Sequence, residues 1–454
     1  MAKPQLAYNV AADAEKGLLE RLFRLREKGT TAKTEILAGF TTFITMAYIL
    51  FVNPQILSET GIPFNAALAA TAIVSAFATL LMGLYANYPI AVAPGMGLNA
   101  FFTYTVVLTM GLSWQTALGA VFVSGMVFII LTVTKARQLI IEAVPPVLKY
   151  SIGVGIGLFI AFIGLKNAAI VVASPATYVT LGNMKDPGVI LAIIGLVITA
   201  FLMARQVKGA LLIGMLSTTI IGMFMGVTKV PTGLSDIVTL VPPSPAATFL
   251  KLDIMGAVKY GLVSIIFSIT IVDLFDNIGT LIGVSRKAGL LDKDGRLPGI
   301  ERALVADSVG ATVGSLVGTS TVTSYVESAA GVAAGGKTGL TAVVVGLLFL
   351  VSLFFAPLAL LVPSQATAPI LIIVGVLMMA EVVHIKFDDF TEALPAFLTI
   401  VLMPLTFSIA QGLSFGFMSY TIIKAMTGKF KEIHPVMYVL TVLFILHFVF
   451  GIAE

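Results

Sequence analysis

Glu327 lies in Ser324-Tyr325-Val326-Glu327-Ser328-Ala329-Ala330-Gly331, an apolar, glycine-flanked stretch almost free of lysine and arginine. Two further acids, Asp273 and Asp276, interrupt the long apolar run from Tyr260 to Val284, which holds no basic residue to pair with them locally. An ionised Asp at the centre of a membrane helix costs roughly 2.5–3.5 kcal/mol. Three left unpaired would cost about 8–10 kcal/mol, comparable with the whole stability of an ordinary domain. Such groups normally face a cavity, a partner or a substrate, and they mark where the work is done. Their chemistry is that of the carboxyl group, which accepts two hydrogen bonds when ionised and can carry a proton.

Spacing adds to this. Asp273 and Asp276 stand three apart and project near one helical face, and Asn277, Gly279 and Thr280 continue the polar cluster beside Asp276. Asp276 is read as lining a substrate cavity, and Asp273 either as a second member or as the residue that orients its neighbour. In the first half, Asn99 in GMGLNAFF can donate and accept at once. Phe102 behind it either touches a ligand or, as aromatic pairs in membrane spans more often do, packs. Five hydroxyls in the six residues Thr319–Ser324 read as a supporting layer, Thr323 among them. Asp307, Glu35 and Glu381 stand near span ends and read as structural or interfacial.

These groups need elements to hold them. With 454 residues, 58% hydrophobic and 11% charged, and a mean hydropathy of +1.03, the chain has too little polar surface to cover a soluble globule; it is an integral membrane protein. The net charge of +4 reflects where the basic residues sit and does not point to nucleic acid. There is no cysteine, and the three histidines (His384, His434, His447) adjoin no acidic cluster, so no metal or cofactor is expected. The first long apolar run begins only at Ile36, which argues against a signal peptide. Before it, leucines alternating with Arg21, Arg24 and Arg26 suggest a short amphipathic helix on the membrane surface or, equally, a solvated tail.

At roughly 20 apolar residues per crossing, spans fall near 36–55, 66–86, 89–110, 114–134, 150–166, 188–204 and 209–227, then near 259–284, 303–318, 319–336, 339–361, 366–383, 391–408 and 411–427. The run 436–450 reads as either an extra crossing or a helix against the bilayer. With a cytoplasmic N-terminus, 22 of the 27 Lys and Arg residues fall inside, which supports both the count and the orientation. Two sets of seven make any likeness between them an inverted repeat. That likeness sits in the third span of each set: PIAVAPGMGLNAFFTY (Pro89 to Tyr104) and GTSTVTSYVESAAGVAAGG (Gly318 to Gly336) are both broken by Pro or Gly. Paired broken segments at matching positions are the best pointer to a transporter's binding site, because irregular backbone in a membrane is tolerated only where protein or a polar ligand meets it.

Gly331 to Thr338 also matches the phosphate-loop pattern G-x-x-x-x-G-K-[ST] letter for letter. A true one needs a buried strand and a soluble nucleotide domain, and no inter-span stretch is long enough to build it. Lys337 is read as an ordinary positive-inside residue.

Three motifs in order, APGMGLNAFF (Ala93 to Phe102), DLFDNIGTLIGV (Asp273 to Val284) and YVESAAGVAAGGKTGLTAVVVG (Tyr325 to Gly346), together resemble the nucleobase cation symporter-2 (nucleobase-ascorbate transporter) superfamily, specifically its AzgA-like branch of purine permeases. FVNPQIL (Phe51 to Leu57) is also typical. The resemblance implies an all-α fold of fourteen segments in two inverted seven-segment repeats, with short strands in segments 3 and 10. It divides the chain into a tail (1–35), a core domain (36–134 and 259–362) and a gate domain (135–258 and 363–454). It implies a secondary transporter, not an enzyme, in the plasma membrane, importing adenine, guanine or hypoxanthine by proton symport, and relatives of this kind often form homodimers. Glu327, Asp276, Asn99 and Gly97 match its substrate positions, with Glu327 and Asp276 as proton carriers and Asp273, Asn277, Thr280 and Thr323 behind them. Asp276-Asn277, where uracil and xanthine relatives usually carry Glu-His, favours the adenine, guanine and hypoxanthine branch. An anion carrier of the same fold is disfavoured by two acids and no Arg in the broken segments. An intramembrane aspartyl protease is disfavoured because it would usually carry GxGD, which is absent.

Overall fold

Capping residues set many of the segment ends. Thr31, Ser113, Asp186, Thr338, Asp389 and Ser408 each accept a backbone N–H from the first turn of the helix that follows. The computed structural model describes residues 17–134, 143–259, 263–291 and 297–450. In chain order its first helices are α1 (Leu18–Phe23), α2 (Ala32–Met46), α3 (Ile49–Ser58), α4 (Phe64–Leu81), α5 (Met96–Ala100), α6 (Trp114–Val133), α7 (Pro146–Asn167), α8 (Pro187–Ala204) and α9 (Ala210–Phe224). There follow α10 (Ile254–Lys259), α11 (Val263–Lys287), α12 (Ile300–Val317), α13 (Ser328–Ala333), α14 (Gly339–Ser352), α15 (Ala356–Leu361), α16 (Ser364–Met378), α17 (Phe390–Leu405), α18 (Ile409–Met426) and α19 (Pro435–Phe450). The strands are β1 (Val92–Pro94), β2 (Val171–Ser174), β3 (Tyr178–Leu181) and β4 (Val322–Ser324).

Seven helices among the described residues are long and apolar enough to cross a membrane. Of the other segments read from sequence, α11, α12 and α18 are 25, 18 and 18 residues long, α9 and α17 are shorter at 15 and 16 residues, and the third and tenth are broken. The first breaks between α2 and α3 at Ala47 and Tyr48; the third is β1 followed by α5, which continues as a π-helix over Phe101–Thr109. The tenth is β4 followed by the six-residue α13. β1 pairs with β4 antiparallel, Val92 opposite Ser324, Ala93 opposite Thr323 and Pro94 opposite Val322. Corresponding elements of the two sets therefore run in opposite directions, as an inverted repeat requires.

Packing divides the helices into two groups. α4 packs on α3, α12 and α14, α2 on α13 and α14, and α6 on α10, α11 and α12. In the second group α7 packs on α16, α17 and α18, and α8 on α9 and α16. The groups touch where α5 meets α7, α11 meets α7 and α18, α9 meets α2, and α16 meets α3. α10 packs on α6, so the residues just before 259 side with the first group.

Three features go beyond the sequence reading. β2 and β3 form an antiparallel hairpin outside segments 3 and 10, built from Val, Thr and Tyr, which suit a strand. α19, at 16 residues, spans about 24 Å and is short for a 30 Å hydrocarbon core; it packs on α18, where Thr441 donates to Thr421 at 2.9 Å. In the N-terminal α1, Leu18, Leu19 and Leu22 stay exposed, while Phe23, together with Leu25 just beyond the helix, docks against Leu340.

Candidate functional site

Two short strands inside a membrane bundle leave backbone groups that no sheet satisfies, and side chains from the flanking helices complete them. Thr79 on α4 accepts from Val92 N at 2.9 Å and donates to Val92 O at 2.8 Å. Ser328 Oγ accepts from Ala91 N at 3.0 Å, and the Tyr325 hydroxyl donates to Pro94 O at 2.5 Å. Tyr325 N to Ala91 O and Gly95 N to Thr321 O extend the ladder at both ends. Gly95 is required here, since a Cβ would lie 2.7 Å from Thr323 Cγ2. The strand crossing is thus fixed, and a half-helix leaves it in each direction.

Glu327 stands at the head of α13, half-buried. Its Oε1 accepts the Tyr48 hydroxyl at 2.6 Å and its backbone carbonyl the Thr45 hydroxyl at 3.4 Å; no other side chain among the described residues is seen to donate to the carboxylate. Tyr48, missed in the sequence reading, is 1% exposed and sits at the break between α2 and α3. The available signal was a tyrosine inside an apolar run, whose hydroxyl must find a partner once buried. The glycines around α13 let it lie close on α2: a Cβ at Gly331 would meet Thr42 Oγ1 at 2.0 Å.

Asn99 is fully buried on α5, and its Oδ1 accepts from the Ser320 hydroxyl, tying the first half-helix to the stretch before β4. Its Nδ2 has no hydrogen-bond partner among the described residues. Gly97 faces the second packing group, because a Cβ there would lie 2.5 Å from Ile156 Cγ2 on α7. Phe102 is buried in the π-helical stretch. Thr323 and Ser324 are buried with hydroxyls that find no partner among the described residues.

The helix that carries the remaining acids, α11, packs against both β4 and α13. Asp276 lies on it, and its side chain falls outside the described residues. Asp273 and Asn277 are buried, and neither amide atom of Asn277 has a partner among the described residues. Thr280 is half-buried. Asp307 is buried on α12.

Glu35 departs from its expected interfacial place. It is fully buried, and its carboxylate accepts from Lys337 N at 2.9 Å, Thr338 N at 3.2 Å and Thr341 Oγ1 at 2.6 Å. The N–H groups that would meet phosphate in a nucleotide loop are here donated to the chain's own acid, at the start of α14. Glu381, by contrast, is exposed beside His384, as expected of an interfacial residue.

A family model described as Permease family (Xan_ur_permease) matches residues 33–415. The chain belongs to that family. This bears out the resemblance read from the three motifs. The permease is 56% identical over 432 residues to the putative permease MJ0326 of Methanocaldococcus jannaschii, covering 95% of this chain and 98% of the relative. It is 47% identical to the adenine permease AdeP of Escherichia coli (96% of each chain covered). It is 48% identical to the guanine/hypoxanthine permease PbuO of Bacillus subtilis (93% and 98% covered). These relatives are transporters, so the reading that the chain is not an enzyme holds. Among solved structures, the permease resembles the transmembrane domain of the cyanobacterial bicarbonate transporter BicA, with a TM-score of 0.64 at 17% identity, covering 84% of this chain and 96% of that one. It also resembles SLC26A9, with a TM-score of 0.61 at 12% identity, covering 93% and 70%. At such identities the likeness shows the fold alone, and that fold agrees with the one expected.

Proposed function

We propose that this permease imports purine nucleobases, adenine, guanine or hypoxanthine, together with protons. A purine base is flat and uncharged, with N–H donors and N or O acceptors along its edges. A carboxylate can accept two donors from one such edge, and Glu327 stands at the strand crossing with one oxygen held by Tyr48. That single contact carries the reading: it orients a membrane-embedded acid between two half-helices without neutralising it. Asp276 on α11 completes the acidic side, with Asp273, Asn277, Thr280 and Thr323 behind it. Asn99, whose Nδ2 is buried with no partner among the described residues, supplies a donor to a ring nitrogen or carbonyl. Gly97 and Phe102 shape the wall on the side of the first half-helix.

Glu327, assisted by Asp276, carries the proton inward with the base. The first packing group is taken as a core domain and the second as a gate domain, and their relative movement exposes the site to each side in turn. The names of the relatives support purine bases as substrates. The reading takes the N-terminus as cytoplasmic, the plasma membrane as the location and a homodimer as the assembly. Anion transport has only the fold in its favour, since a carboxylate at the strand crossing repels an anion.

Uptake of labelled adenine, hypoxanthine and guanine by cells lacking their own permeases, each competed by the other two, tests the substrate class. Saturable uptake abolished by any of the three unlabelled bases is expected. Uptake of none of them, or of sulfate or bicarbonate instead, would refute the reading.

A further inference from the structure

Phe407 turns the corner between α17 and α18 with a φ of 52°, a left-handed conformation that a bulky residue keeps only where its surroundings hold it. Its carbonyl accepts the Thr105 hydroxyl. Its ring meets those of Phe162 at 5.4 Å, Phe159 at 5.6 Å and Tyr104 at 6.1 Å between centroids, all at steep angles. Tyr104 donates to Glu59 Oε1 at 2.8 Å and accepts from Asn167 Nδ2 at 3.3 Å. Lys166 Nζ lies 4.8 Å from the Tyr104 ring centre and 5.8 Å from that of Phe407. One turn back along α3 from Glu59, the Gln55 side chain accepts the Thr367 hydroxyl.

Gln55, Glu59, Tyr104 and Thr105 belong to segments 1 and 3, in the first packing group. Asn167, Lys166, Thr367 and Phe407 belong to segments 5, 12 and 13–14, in the second. Thr105 to the Phe407 carbonyl, Tyr104 against the Phe407 ring, Asn167 and Lys166 to Tyr104, and Thr367 to Gln55 therefore join the two groups, while Glu59 holds Tyr104, and Phe159 and Phe162 hold Phe407, from within their own groups. Each of these bridges lies at an end reached after an odd number of crossings from Ala32, on the face away from the start of α2.

We propose that these residues form a latch that closes the route from that far face to Glu327, with the Phe407 ring as its plug. This goes beyond the transport reading by naming the gating residues, and it rests on that reading's relative movement of two bodies. Modest hydrogen bonds and edge-on aromatic contacts suit the task, because each can break and reform singly. The left-handed turn at Phe407 is held by Thr105 and Tyr104 from the opposite group, so opening the latch also releases it. The latch breaks each time the site is exposed to the far face.

The sequence holds no cysteine, so an engineered pair supplies the only thiols. Gln55→Cys with Thr367→Cys, joined by a short bis-maleimide, is expected to lose uptake of labelled adenine or hypoxanthine about tenfold or more, while the unjoined double variant transports and the joined one still binds the base. Undiminished uptake after joining overturns the latch. If the unsubstituted protein takes up no purine, the purine reading is what has failed, and a substrate-free measurement decides the latch. Ile156→Cys, buried beside Gly97, is labelled from the far face with an impermeant maleimide, with and without Tyr104→Phe and Asn167→Ala. Labelling about tenfold faster in the weakened latch is expected; an unchanged rate overturns the proposal.

Discussion

Tyr48 donates its hydroxyl proton to Glu327 Oε1 at 2.6 Å, joining the break in the first segment to the head of the tenth across 279 residues of sequence. A hydrogen bond to a charged group contributes about 1.5–3 kcal/mol. Tyr48→Phe keeps the ring and its packing and removes only that bond. Its KM for the transported base is expected to rise about tenfold with little change in maximal rate, measured as initial uptake against substrate concentration. A fall in maximal rate at unchanged KM would mean that Tyr48 serves the transport cycle and not the geometry of Glu327.

Glu35 anchors the start of α14 through two backbone N–H groups and the Thr341 hydroxyl. Glu35→Ala leaves those buried donors without an acceptor, at about 1–3 kcal/mol for each unsatisfied group. Detergent-solubilised protein is expected to melt several degrees lower and to express poorly. A melting curve superimposable on that of the unsubstituted protein would show that the anchor contributes nothing.

Gly97 lets α5 approach α7, with space for no Cβ against Ile156. Gly97→Ala is expected to slow transport severalfold, and Ile156→Ala in the same chain to restore much of the rate by giving back the volume. Failure of the second substitution to rescue the first would place the role of Gly97 elsewhere than in this contact.

Asp389 caps α17 outside the membrane-spanning segments. The Thr391 hydroxyl at 2.7 Å, Lys429 Nζ at 3.0 Å and the Thr391 N–H at 2.9 Å hold its carboxyl well below the usual carboxylate range. A folded-state pKa below the unfolded one adds stability that is complete above the unfolded value, near pH 4, and is lost as the pH falls through the folded value. Asp389→Asn should therefore lower the melting temperature by a constant amount between neutral pH and about pH 5. The two proteins should converge only in stronger acid. A difference that grows on acidification would contradict this.

The two broken segments were legible because Pro and Gly interrupt Pro89 to Tyr104 and Gly318 to Gly336, and their matching positions in two sets of seven declared the repeat; that short strands form there came from the family resemblance. Glu327 and Asn99 were legible as polar groups in apolar surroundings. Tyr48 and Glu35 were not read correctly, because their roles depend on partners 279 and more than 300 residues away, and no local pattern encodes such pairings. Gly97 was read as a wall of the site. Its contact with Ile156 depends on how α5 crosses α7, a relation between segments that spacing within one segment does not contain. The β2–β3 hairpin was hidden by its length, since four-residue strands between long apolar runs carry little periodicity.

Purified permease in proteoliposomes, given labelled adenine or hypoxanthine under an imposed inward proton gradient, tests the role of Glu327 most directly. The unsubstituted protein should accumulate the base above its external concentration, and a protonophore should reduce this to equilibration. Glu327→Gln should fail to accumulate it. Accumulation by Glu327→Gln equal to that of the unsubstituted protein, or accumulation indifferent to the protonophore, would contradict the assignment of base and proton to this carboxyl group.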